Sequence, residues 1–171
     1  MDAANFSVNE SLRDGGRVTI RSLKTEDRAA FVEAASQTSS QSIYRRFFAP
    51  RRNFTEGEAS FFVNIDFVKH VALIAVIAAD GGDRIVGGGR YIVGQPGEAE
   101  LAFMVVDQYQ GKGIGAALLR HLIVIARHGG LRELSADVLA DNTSMLKVFE
   151  RSGFQIGPNR EPGTKHFTFQ L

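Results

Sequence analysis

The sequence contains no cysteine. That absence excludes a disulfide scaffold, a thiolate metal site and a cysteine nucleophile, and it suits a reducing compartment. Charge of one sign is also lacking: 20 Lys and Arg face 19 Asp and Glu, a formal net charge of +1. No overall field draws such a chain to nucleic acid or to an anionic membrane surface. Long hydrophobic runs are missing. The longest apolar stretch, Val71–Ala79 (VALIAVIAA), is far too short to span a bilayer and reads as a buried strand. The opening MDAANFSVNESLRDG has no basic segment followed by an apolar one, so no signal peptide is visible. These absences predict a soluble, cytoplasmic protein with neither nucleic-acid nor membrane partners. His70, His121, His128 and His166 show no metal-ligand spacing, and no metal is expected. No internal repeat is evident.

What the chain does have is a core and an excess of glycine. At 171 residues, 44% of them apolar, it is long enough to bury a core as one domain. Its 18 glycines exceed the usual share of about 7% and fall into small clusters. Residues 1–16 are polar and predict a flexible arm; residues 17–171 predict a single domain.

Periodicity gives the elements. Arg17–Leu23 alternates as a strand, and Thr25 is placed to N-cap a helix with Glu26 and Asp27 in its first turn. Ser42–Phe48 predicts a short helix stopped before Pro50. Thr55 and Glu58 have capping-box spacing, opening a helix with an apolar face of Ala59, Phe61, Phe62 and Val63. Val68–Ala79 and Arg84–Val93 flank the hairpin signal Asp80-Gly81-Gly82-Asp83, and Glu98–Val106 follows as a third strand. A long helix carries Ile114, Leu118, Leu122 and Ile125 on one face and stops at Gly129-Gly130. Leu131–Leu139 reads as a strand, Asn142–Ser152 as a helix ended by Gly153, and Phe154 onward as a closing hairpin. This order predicts an α+β fold, a mixed, mostly antiparallel sheet flanked by helices, rather than a doubly wound domain. Gly87-Gly88-Gly89, inside a strand, predicts a bulge beside a groove.

The glycines most suggestive of chemistry lie in Gln110-Gly111-Lys112-Gly113-Ile114-Gly115, between a strand and a helix. Bare backbone amides at a helix N-terminus suit phosphate. A Walker A loop is excluded, because Lys112 precedes Gly113 rather than Ser or Thr. A dinucleotide fingerprint can be counted from Gly111 to Ala116, but the strand before it belongs to an antiparallel meander. On the loop alone, a phosphate site and an ordinary Gly-rich turn stand level.

Beyond the loop, the sequence resembles the GNAT N-acetyltransferase superfamily. Gln110-x-x-Gly113-x-Gly115 matches its Gln/Arg-x-x-Gly-x-Gly/Ala signature, and Asn142 with Gly153-Phe154 closing the next helix matches a second piece. The similarity runs from about Arg17 to Phe169. Leu12-Arg13-Asp14-Gly15, Ser42–Phe48, Asn142–Leu146 and Glu100 resemble one branch, the catalytic domain of Pat-type bacterial protein lysine acetyltransferases. The resemblance implies a GNAT fold and acetyl-CoA as cofactor. It implies transfer to a primary amine such as a protein lysine, with an acyl-CoA synthetase as a fitting substrate. A small-molecule amine acetyltransferase and a non-catalytic acyl-CoA sensor are the alternatives. The protein is expected as monomer or homodimer, without the regulatory domain that full-length Pat-type enzymes often carry.

The same resemblance assigns residues. Gln110, Gly111, Lys112, Gly113, Ile114, Gly115 and Ala116 would hold the pyrophosphate, the strand at Phe103, Met104 and Val105 would pair with the pantetheine arm, and Asn142 would contact that arm or order the acceptor site. A lysine amine with pKa ~10.4 is mostly protonated at neutral pH, so a base helps. Strand pattern alone makes Glu100, like Glu98, a solvent-facing carboxylate. The family position makes Glu100 the base, acting through water, and its apolar neighbours Leu101, Ala102, Phe103 and Met104 predict partial desolvation. A main-chain N–H near Met104 or Val105 is placed to polarise the thioester carbonyl. Many GNAT enzymes have a Tyr where this chain has Phe149, which has no proton to give. A thiolate with pKa near ~8.5 leaves unaided, and without cysteine the transfer is expected to be direct, in a ternary complex. Arg45, Arg46, Arg51 and Arg52 form a basic cluster that reads as a solvated face, or as a site for an acidic protein patch or the CoA 3′-phosphate. Tyr44, Phe47 and Phe48 read as core.

Overall fold

The computed structural model describes residues 1–39 and 55–171. The helix expected at Ser42–Phe48, the arginine cluster at 45–52 and the aromatics Tyr44, Phe47 and Phe48 lie outside the described residues. In chain order the elements are β1 (Ser7–Ser11), β2 (Arg17–Ser22), α1 (Arg28–Ser36), α2 (Glu56–Val63), β3 (His70–Ala79), β4 (Gly82–Val93), β5 (Glu98–Val105), α3 (Ile114–His128), β6 (Glu133–Leu139), α4 (Thr143–Arg151), β7 (Gln155–Gly157) and β8 (Thr164–Gln170). The strands form one sheet in the order β1-β2-β3-β4-β5-β6-β8-β7. Among the described residues every pairing is antiparallel except β5 with β6.

Most elements follow from local chemistry. Thr55 Oγ1 accepts from the Glu58 N–H at 3.2 Å, and the Glu58 carboxylate accepts from the Thr55 N–H at 3.0 Å, the reciprocal cap that its spacing predicts. The stripe of α3 is fully inside: Leu118, Leu119 and Leu122 are at 0% exposure, each burial stabilising the fold by about 1.5–3 kcal/mol. These residues pack on Val71, Leu73, Val86, Leu101 and Leu134 of the sheet. The opposite face buries Ala72, Ile74, Val76 and Ile85 beneath Phe31 and Ala34 of α1 and Phe62 and Val63 of α2.

Three expectations need correction. The first sixteen residues are not a loose arm: Ser7–Ser11 pairs with β2 from Ser7↔Arg21 to Ser11↔Arg17, and Phe6, Val8 and Leu12 pack against the main core. An edge strand that half-buries only alternate side chains leaves a polar sequence. Thr25 does not cap α1. Thr25–Asp27 is a single 3₁₀ turn, and the Asp27 carboxylate accepts from the Lys24 N–H at 2.8 Å and from both Arg21 guanidinium nitrogens at 2.8 Å. Phe61 is 55% exposed rather than part of the apolar face of α2.

The glycine run in β4 is explained by packing. The β3–β4 register shifts between Ala75 and Val76, immediately beside Gly87, as a bulge would. A Cβ on Gly89 would sit 2.7 Å from the Phe103 ring and 3.1 Å from Leu122, so only glycine lets β5 and α3 close over β4 here.

Candidate active site

The site originates in the one parallel pairing. β5 and β6 pair over three residues only, Glu98↔Glu133, Ala99↔Leu134 and Glu100↔Ser135. Beyond Glu100, β5 stays with β4 as far as Val105, while β6 stays with β8 as far as Leu139. The sheet is therefore split, with the split starting at Glu100.

Ladder chemistry says what faces the split. The Val106 N–H donates to Val86 O at 3.0 Å, and Glu98 O accepts from the Gly94 N–H at 3.1 Å, so even-numbered residues of β5 turn their backbone groups to β4. Antiparallel alternation then turns those of Leu101, Phe103 and Val105 into the split. An extended ligand arm finds a free strand edge there. Of the two amides expected near the reacting carbonyl, the alternation leaves Val105 available and commits Met104 to β4.

At the end of this edge the chain enters the glycine loop. The Gln110 side-chain amide donates to Val105 O at 3.0 Å, tying loop to strand. Gly113 caps α3 at φ +98°, a left-handed conformation that favours glycine. Loop, strand edge and the α3–α4 cleft merge into a groove of about 670 Å³. Five cations line it, Arg13, Arg120, Arg127, Lys147 and Arg151, and no carboxylate does among the described residues. Asn142 lines it too, while its Oδ1 caps α4 by accepting from the Met145 N–H at 3.3 Å.

The chain matches the acetyltransferase (GNAT) family over residues 36–154. It belongs to the GNAT acetyltransferase family. The GNAT domain of S. lividans PAT superposes on it with a TM-score of 0.89 and 36% identity, covering 96% of this chain and 97% of that one. Acetyltransferase PA5475 of Pseudomonas aeruginosa is 34% identical over 146 residues, which is 85% of this chain and 78% of that protein. Acetyltransferase Pat of Mycolicibacterium smegmatis is 34% identical over 119 residues, 67% of this chain; the match spans only 34% of that longer protein.

Acetyl-CoA fits this GNAT groove on three counts: bare amides at a helix N-terminus in a cationic lining for its phosphates, a free strand edge for its amide arm, and apolar walls at Phe103 and Ile123. Of the residues that the resemblance assigns to it, Phe103, Met104, Val105, Gln110, Gly111, Gly113, Ile114, Gly115, Ala116 and Asn142 all line the groove. Lys112 does not. Its Nζ is 2.9 Å from Asp14 and 5.2 Å from the Tyr109 ring centroid.

Glu100 stands apart from the groove. Its side chain is exposed, so the expected desolvation is not found. It shares a sheet face with Ile92 and Ser135, its cross-strand partners, opposite the face that carries α3. Phe149 is 1% exposed, stacked on Phe167 at 5.3 Å and edge-on to Phe103 at 5.9 Å, a core residue. His121 lies 2.6 Å from Glu10, His128 is bonded to Val124 O, His166 to Asp137, and buried His70 to Arg90; no metal-binding group exists among the described residues. Among the described residues, no helix is long and apolar enough to cross a membrane.

The cations of the groove escaped sequence reasoning. Lys147 and Arg151 do carry a signal, since residues four apart on one helix share a face. Arg13 lies in the Leu12–Gly15 motif that resembles the Pat branch, but no spacing places it at the groove, because its position depends on how a hairpin docks.

Proposed function

We propose that the protein moves the acetyl group of acetyl-CoA to the side-chain amine of a protein lysine, by direct transfer with both substrates bound. One observation carries this reading: the groove and Glu100 lie on opposite faces of the sheet and approach each other where β5 and β6 part. An acceptor reaches the exposed Glu100 from the face opposite α3 while the donor fills the α3 side. Exposure of Glu100 suits an amine presented on the surface of another protein, and likeness to the S. lividans PAT domain favours the same acceptor class. An acyl-CoA synthetase is a fitting substrate.

When bound, acetyl-CoA supplies a thioester whose thiolate is a good leaving group. Glu100 takes a proton from the incoming ammonium through water. The Val105 N–H, pointing into the split, donates to the carbonyl oxygen as negative charge grows on it. Phe149 is sealed in the core, so the helix that follows Asn142 offers no acid at that position, and solvent protonates the departing sulfur. With no cysteine in the chain, an acetyl-cysteine intermediate is excluded.

The test is acetyl transfer to lysine peptides and to a candidate acyl-CoA synthetase, with acetylated sites mapped by mass spectrometry. Glu100→Gln is expected to lower kcat about 10²-fold near neutral pH. The deficit should shrink as pH rises toward the amine pKa of about 10.4, where the acceptor deprotonates itself. Full activity of the variant from about pH 6 to about pH 9 removes Glu100 as the base. Transfer to small amines alone replaces the protein acceptor with a metabolite.

A further inference from the structure

We propose that the turn joining β1 to β2 is a wall of the cofactor site, and that Arg13 on this turn binds the pyrophosphate of CoA. The inference rests on acetyl-CoA occupying the groove. In strand order β1 is four places from β5, so nothing in the topology requires its hairpin to meet the phosphate loop. It does so through specific contacts. The Arg13 N–H donates to Lys112 O at 3.1 Å, and the Asp14 carboxylate is 2.9 Å from Lys112 Nζ. Behind the turn, Glu10 of β1 binds Arg120 and His121 of α3, and the Phe6 ring lies 5.2 Å from that of His121. The hairpin thus lies along the first turns of α3.

The turn is shaped for this. The Leu12 N–H donates to Gly16 O at 2.7 Å, the Gly15 N–H to Leu12 O at 3.0 Å, and the Gly16 N–H to Asp14 at 3.1 Å. With its backbone fixed, the turn sends its two charged side chains to different tasks. Asp14 draws Lys112, the only cation of the loop itself, out of the groove. Arg13 enters the groove beside Gly113: a Cβ built on that glycine would be 3.6 Å from Arg13 Nε. Its guanidinium therefore stands next to the amides that open α3. No carboxylate pairs with Arg13 among the described residues. A planar, always-charged fork binds two phosphate oxygens in one fixed bidentate geometry, whereas a lysine ammonium acts as a point charge on a flexible stem. The cation beside the loop is thus an arginine contributed from a distant part of the chain, not the loop's own lysine.

Binding of CoA, of dephospho-CoA (which lacks only the 3′-phosphate) and of pantetheine (which lacks both phosphate groups) is measured by calorimetry for wild type and Arg13→Gln. Arg13 is exposed, and the ligand-free variant should keep the wild-type melting temperature. The variant is expected to bind CoA and dephospho-CoA more weakly by one common factor, about tenfold or more, with pantetheine unaffected. A CoA dissociation constant within about twofold of wild type overturns the proposal. So does a loss confined to CoA, which puts Arg13 on the 3′-phosphate instead. Failure of the wild-type protein to bind CoA at all overturns the occupancy of the groove and this proposal with it, whereas an unchanged constant in the variant overturns this proposal alone, so the two failures are told apart.

Discussion

At the scale of single residues, glycines and one glutamate hold most of the information. Gly113 begins α3 at φ +98°, where a side chain is strained by about 1–2 kcal/mol. A glutamate there would also place negative charge against the phosphates. Gly113→Glu is therefore expected to abolish the rise in melting temperature that CoA gives the wild type, and an undiminished rise would rule out the loop as the phosphate site. Gly89 has ordinary φ but no room, with the Phe103 ring 2.7 Å from the position of a Cβ. Gly89→Ala should cost about 1–3 kcal/mol by overpacking, read as a lowered denaturation midpoint. Glu100 was found in the sequence by its place ten residues before Gln110. Its exposure is what the strand pattern alone predicts; the desolvation expected from its neighbours failed, because apolar neighbours along a strand say nothing about which face is covered.

At the scale of elements, the helices were the most legible. The Thr55–Glu58 box and the α3 stripe each depend on contacts within about four residues, so spacing alone specifies them. β1 was illegible because a half-buried edge strand has too few apolar positions to show alternation. α4 makes a prediction of its own. Lys147 and Arg151, one turn apart, both line the groove, and like charges so spaced oppose helix formation by about 0.2–0.5 kcal/mol. Such a pair is relieved by a bound anion. The double change Lys147→Gln with Arg151→Gln is expected to weaken CoA binding about tenfold or more without lowering the melting temperature of the ligand-free protein. Unchanged affinity would separate α4 from the phosphates.

At the scale of the whole molecule, several carboxylates are held below their usual range by the groups that bind them. Arg120 and then His121 hold Glu10 down, linking β1 to α3. The backbone N–H groups of His70 and Val68 do the same for Asp66. Burial alone would push Asp27 up, but Arg21 and the Lys24 N–H outweigh it and the net direction is down. A carboxyl with a depressed folded-state pKa contributes stability that is full above its unfolded pKa and is lost as pH falls through the folded value. The melting temperature is thus expected to be nearly flat from about pH 7 to about pH 5 and to drop steeply below about pH 4. The gap between wild type and Asp27→Asn should be widest at neutral pH and close in acid. A gap independent of pH would remove Asp27 from this account.

By itself the sequence determined α2, α3 and α4, the β3–β4–β5 meander, the glycine loop and the family, since each is written in short-range spacing. Tertiary structure alone decided the charge pattern of the site. A chain of net charge +1 gathers five cations and no described carboxylate around one groove. They come from a hairpin turn and two helices, so no window of sequence contains them together. It also decided that β5 and β6 separate after Glu100, because three paired residues and two divergent neighbours result from packing eight strands under α3, not from anything either strand encodes alone.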